Sequence, residues 1–126
     1  VRSQKEELLE LSAPILEAAP GVLLLPVIGR LDGERCARVA ERLLQAIARR
    51  PTRAVVFDLT GVDASGSASL AALVGIFRAA ALMGATCLLS GVTPASARKL
   101  VDVDLPLPTD RIYPTLSLAL AAALAL

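Results

Sequence analysis

Arg53-Ala54-Val55-Val56-Phe57-Asp58-Leu59-Thr60-Gly61-Val62-Asp63-Ala64-Ser65-Gly66-Ser67 is the stretch on which the fold turns. The β-branched and aromatic run that follows Pro51 predicts a strand buried on both faces, ending in the turn Thr60-Gly61. The next residues are small and polar. From Ser67 to Met83 the sequence then predicts a helix with Arg78 as its only charge. A strand that feeds through a short loop into a helix is the repeating unit of an α/β sheet, and its carboxyl end is the usual ligand side.

Upstream, Gly21 to Gly29 is an apolar run bounded by glycines. It predicts another buried strand, with a bulge or an edge at Pro26 because proline has no N–H to donate. Between Asp32 and Arg50, Cys36, Val39, Ala40, Leu43, Leu44 and Ile47 recur at helical spacing. Glu34, Arg35, Arg38, Glu41, Arg42 and Arg49 are read as the opposite, solvated face. Downstream, Ala85 to Leu89 predicts a third strand ending at Ser90-Gly91, and a short helix starts near Pro94. Val101 to Asp110 reads as the longest loop, Arg111 to Tyr113 as a short edge strand, and Thr115 as the cap of a final helix. The alternation predicts a mostly parallel sheet with right-handed crossovers. Ser3-Gln4-Lys5-Glu6 has the form of a capping box, so residues 1–12 are expected to be a linker helix ending before Pro14 and leading from an upstream domain.

Length and composition narrow the function. At 126 residues the chain is one domain, with 55% apolar residues and a mean hydropathy of +0.63. Thirteen Lys and Arg against twelve Asp and Glu leave a net charge of +1. No overall field pulls the protein onto nucleic acid or an anionic membrane, and neither is expected as a partner. The absence of His removes Ser/His/Asp triads, Cys/His dyads, His metal sites and the side chain that ordinarily titrates near neutrality. Cys36 and Cys87 form no Cys-x-x-Cys pair and are read as buried thiols. Without a signal-peptide pattern the expected compartment is cytoplasmic, and the apolar run Leu116 to Leu126 is too short to span a bilayer.

Ser67 would sit at a helix N-terminus, where unpaired N–H groups and the helix dipole favour an anion. Its hydroxyl is either a phosphate acceptor or simply a helix cap. The surrounding loop lacks both glycine-rich nucleotide fingerprints, so no cofactor is expected. Asp58 and Asp63 flank the loop without a third ligand, so they are read as turn and cap residues and no metal is expected. The helix from Ser67 to Met83 is apolar nearly all round, and either other elements cover it or it faces a partner.

The runs Glu7 to Ile15, Gly21 to Gly29, Val56 to Val62 and Leu82 to Pro94, in this order, resemble STAS domains of the stressosome co-antagonist and anti-sigma-factor-antagonist type. The resemblance covers nearly the whole chain. It implies an α/β fold with a mixed four- or five-stranded sheet and helices packed mainly on one face, here over residues 13–126. It also implies a regulatory, non-enzymatic module that takes part in the stress response. Such a module binds a serine/threonine kinase or anti-sigma factor and other STAS proteins, and it self-assembles. The family's phosphoacceptor aligns with Ser67, and Asp58, Thr60, Gly61, Asp63, Ser65 and Gly66 form the switch loop around it. Gly66 stands where the family has Asp. A second acceptor position aligns with Lys99, so that site is expected to be absent, with Ser96 a poor substitute. Two alternatives remain at this stage: a STAS domain that senses a small ligand such as a nucleotide or lipid, and a purely structural shell subunit.

Overall fold

A computed structural model describes residues 14–63, 67–102 and 111–126. The expected linker helix at residues 1–12 lies outside the described residues. Among those described, the order is β1 (Leu16–Ala19), β2 (Val22–Pro26), α1 (Gly33–Arg49), β3 (Ala54–Asp58), α2 (Ser67–Leu82), β4 (Thr86–Ser90), α3 (Pro94–Asp102), β5 (Ile112–Tyr113) and α4 (Leu116–Leu124). The strands lie in one five-stranded sheet in sequence order. β2 to β5 are parallel, and β1 runs antiparallel to β2, so the sheet is mixed as expected. α3 reaches Asp102, two residues into the stretch read as loop, and Val103 to Asp110 lie outside the described residues.

β1 is the element that sequence reading did not anticipate. Leu16-Glu17-Ala18-Ala19 consists of good helix formers and has no strand pattern. Pairing with β2 overrides that preference, with Leu16 opposite Leu24, Glu17 opposite Leu23 and a bulge before Ala19. The sequence signal was the turn dipeptide Pro20-Gly21. At the far end of β2, the Val27 N–H donates to the Asp58 carbonyl at 2.9 Å. Alternate residues face the same neighbour, so the Pro26 nitrogen faces the side on which β1 has run out beyond the Leu16–Leu24 pair. The proline thus sits at a local edge.

The period of two along the strands divides the core. Leu23, Leu25, Val55, Phe57, Cys87 and Leu89 face one way and pack with Val39, Leu43 and Ile47 of α1 and Leu70, Leu73, Ile76 and Phe77 of α2. The Phe57 and Phe77 rings meet at 4.1 Å between centroids, tilted by 58°. Val22, Ala54, Val56 and Leu88 face the other way, where Ala119 and Ala123 of α4 cover them. α1 and α2 therefore share one face, and the greasy C-terminal run docks on the other. Thr115 caps α4 as expected, with its Oγ1 accepting from the Leu118 N–H at 3.2 Å.

Two expectations about side chains need correction. Arg35, expected on the solvated face of α1, is only 4% exposed. It continues the buried series Val39, Leu43 and Ile47 by one turn toward the N-terminus. Cys87 is buried as expected, whereas Cys36 is only half-buried. The apolar character of α2 is largely explained within the chain: Leu70, Leu73, Val74, Ile76, Phe77 and Ala80 are all buried. Its remaining face shows Ala71, Gly75, Arg78 and Leu82 to solvent, with Leu82 89% exposed.

The core makes a prediction about alkaline stability. Burial pushes the Cys87 thiol from an ordinary 9.0 up to about 11. Between those values the folded chain keeps a proton that the unfolded chain releases, so stability falls as pH rises through that window. Urea unfolding from pH 8 to pH 11 should show a steeper decline for the parent than for Cys87→Ala. Parallel curves would mean that the thiol is not desolvated.

Candidate functional site

The carboxyl end of β3 is where the chain concentrates its polar contacts. Pro26, Asp58 and Ser90 stand in register at the ends of β2, β3 and β4. Asp58 Oδ1 accepts two hydroxyl hydrogen bonds, from Ser90 Oγ and from Thr60 Oγ1, each at 2.9 Å. Ser90 is fully buried, and the carboxylate satisfies a hydroxyl that would otherwise be costly to desolvate. The Leu59 N–H donates to the Ser90 carbonyl at 2.8 Å, and the Val62 N–H donates to the Leu59 carbonyl at 3.1 Å, which closes the turn Thr60-Gly61.

Two neighbouring connections grip this loop. On the β2–α1 side, the Gly29 N–H donates to the Gly61 carbonyl at 2.9 Å, and the Asp63 N–H donates to the Gly29 carbonyl at 2.8 Å. The result is an isolated parallel bridge between Gly29 and Val62. Arg35 lies behind it: its guanidinium donates to the backbone carbonyls of Ile28 and Arg30. Burial lowers the Arg35 pKa, with the Asp32 charge opposing the shift. Asp32 also caps α1, its Oδ1 accepting from the Arg35 N–H at 2.8 Å. On the β4–α3 side, Gly91 has a φ of +71°, and a Cβ built there would lie 2.2 Å from Thr60 Oγ1 and 2.7 Å from the Thr60 nitrogen. Only glycine allows this approach.

Of the residues predicted for the site, Asp58, Thr60, Gly61 and Asp63 are brought together on this loop. Asp58 organises the turn, whereas Asp63 is exposed and its carboxylate lies 3.8 Å from the exposed Arg30 guanidinium. Ser65 and Gly66 lie outside the described residues. Ser67 is the first residue of α2, which places it at the positive end of the helix dipole. Ser96 is fully buried and locked in a reciprocal cap: its Oγ accepts from the Thr93 N–H at 2.9 Å, and its N–H donates to Thr93 Oγ1 at 3.1 Å. Its hydroxyl is not presented for modification, and Lys99 is half-buried. Among the described residues no group of three Asp, Glu or Cys could hold a metal ion. A cleft of about 910 Å3 lies at the other end of β3, lined by Glu17, Arg50, Arg53 and Gly84 among others, and not beside Gly61 to Asp63.

Residues 13–119 match the sequence model of the STAS domain. The chain belongs to the STAS domain family. This STAS domain is 33% identical over 107 residues to the RsbT co-antagonist protein RsbRA of Bacillus subtilis, an alignment covering 85% of the chain and 39% of that relative. The chain thus spans about two fifths of the relative's length. A serine-to-glutamate variant of RsbS from Moorella thermoacetica shares the fold with a TM-score of 0.76 at 24% identity, covering 90% of this chain and 95% of that one. An anti-sigma factor antagonist from Mycobacterium paratuberculosis superposes with a TM-score of 0.63 at 27% identity, covering 89% and 94%. The domain is thus similar in sequence to an RsbT co-antagonist and an anti-sigma factor antagonist, and shares its fold with RsbS. Among the described residues no helix of the STAS domain is long and apolar enough to cross a membrane.

Sequence reading missed Arg35, Gly29, Ser90 and Gly91 as parts of this site. Arg35 had a signal, since 35, 39, 43 and 47 share a spacing of four. Gly29 and Gly91 had only the general one that glycine after a strand marks a tight turn.

The grip on the loop predicts a difference between two glycines. Gly84 also has a positive φ, +92°, but a Cβ there meets nothing within 4 Å. Gly84→Ala should therefore cost only the left-handed backbone penalty, about 1–2 kcal/mol. Gly91→Ala should cost clearly more in urea unfolding and should perturb the Thr60 amide resonance. Equal costs for the two would contradict the close approach.

Proposed function

We propose that this STAS domain is a non-enzymatic regulatory interaction module, switched by phosphorylation of Ser67, that binds a serine/threonine kinase or anti-sigma factor. The observation that carries the reading is the hydrogen-bonded geometry of Asp58 to Asp63 beside a helix that starts at Ser67. Asp58, Gly29 and Gly91 hold Thr60 to Asp63, and α2 begins at Ser67, the residue that aligns with the family's acceptor. In this reading the domain works in the cytoplasm beside other STAS proteins and further copies of itself, in a stressosome-like or partner-switching assembly. The name of its Bacillus subtilis relative, a co-antagonist of RsbT, supports a partner of that kind. Ser67 provides the hydroxyl, with Gly66 standing where the family has Asp.

The physical basis of the switch is desolvation. A phosphoserine adds about −1.5 to −2 charges, and a helix N-terminus tolerates that charge well. Folding is therefore retained. When a partner docks on the same surface the charge must leave water, at a cost on the order of several kcal/mol unless a partner Arg or Lys meets it.

The test compares Ser67→Asp with Ser67→Ala in the full-length protein. Both variants should melt within a few degrees of the parent. The affinity for the kinase or anti-sigma factor recovered with the full-length protein should change by about tenfold or more in Ser67→Asp and little in Ser67→Ala, equivalent to about 1.4 kcal/mol. If both variants bind like the parent, Ser67 is not the switch.

A further inference from the structure

Arg35 has not been assigned a role by the function proposed above. A buried guanidinium keeps its charge at a large desolvation cost unless hydrogen bonds meet its donors, so its acceptors show what it is organised around. Arg35 is 4% exposed, and it donates to the carbonyls of Ile28 and Arg30, the residues on either side of Gly29. Gly29, with a φ of +76°, turns its own N–H and carbonyl to Gly61 and Asp63. The segment Ile28 to Arg30 is thus held from one side by α1 and holds the switch loop from the other.

We propose that Arg35 is a positioning residue for the switch loop, acting through the backbone of Ile28 to Arg30. The planar fork of its guanidinium spans two carbonyls two residues apart, which a lysine ammonium cannot do with a fixed geometry. The consequence is mechanical coupling. The first turn of α1, capped by Asp32, moves together with Gly61 and Asp63, so a partner that shifts the start of α1 shifts the described part of the loop with it. This rests on the reading of Gly61 to Ser67 as the switch.

Residue-resolved amide hydrogen exchange on the folded protein tests the idea without a partner. Arg35→Met and Arg35→Lys are compared with the parent and with Ile47→Val, which trims the core contact at the other end of α1. In Arg35→Met the amides of Gly29 and Asp63 should exchange at least about tenfold faster, as expected when a local opening no longer has to break the two charged hydrogen bonds to Ile28 and Arg30. The Thr86 amide, which bonds to the Arg53 carbonyl at the amino ends of β3 and β4, should follow global stability only. Arg35→Lys should show the same selective acceleration at smaller amplitude, and it decides the matter if Arg35→Met does not fold. Acceleration spread evenly over the sheet, as expected for Ile47→Val, would overturn the proposal, as would unchanged exchange at Gly29 and Asp63. If the loop loosens selectively while the Ser67 variants bind partners normally, the positioning role stands and the switch assignment fails.

Discussion

Strand β3 has no exposed surface from Ala54 to Phe57, and the rest of the molecule is arranged to make that possible. Its backbone is bonded on both edges, to β2 and β4. Its two faces alternate between a thick layer of helix on one side and a thin one on the other. Val55 and Phe57 require α1 and α2, while Ala54 and Val56 are small enough for the alanine face of α4 to cover. A strand fixed on all four sides has one place to vary, its carboxyl end. Asp58 stands at that place, and its two hydroxyl partners and the glycines on either side convert the end of a rigid strand into a defined loop.

The parts of the fold that could be read in the sequence are those where local pattern and tertiary environment agree. β3 reads as buried because its run of apolar residues is continuous, and α1 reads as a helix because its apolar positions recur every three or four residues. β1 could not be read in the same way, since Leu16-Glu17-Ala18-Ala19 carries helix formers whose strand conformation comes only from pairing with β2. Arg35 shows a second kind of limit. Residue type assigned it to solvent and spacing assigned it to the core. Spacing prevailed because two backbone carbonyls were available to meet the charge.

The same distinction applies to the candidate site. Asp58, Thr60, Gly61 and Asp63 were legible because they follow one another along the chain. Gly29, Ser90 and Gly91 were not, because their roles exist only once β2, β3 and β4 lie in register and bring three connections to one edge. The chemistry of the proposed switch follows from composition as well. With no His in the chain, no side chain ordinarily titrates near neutral pH. In the proposed switch the N-terminus of α2 is suited to an added negative group.

The most direct measurement of this account is residue-level mapping of phosphate after the full-length protein is incubated with a serine/threonine kinase recovered by pull-down with it. The account predicts that phosphate is found on Ser67 and that Ser67→Ala abolishes incorporation. Phosphate on another residue of the domain, or a kinase that binds stably and modifies nothing in it, would contradict the central claim that the loop held by Asp58, Gly29 and Gly91 exists to present Ser67.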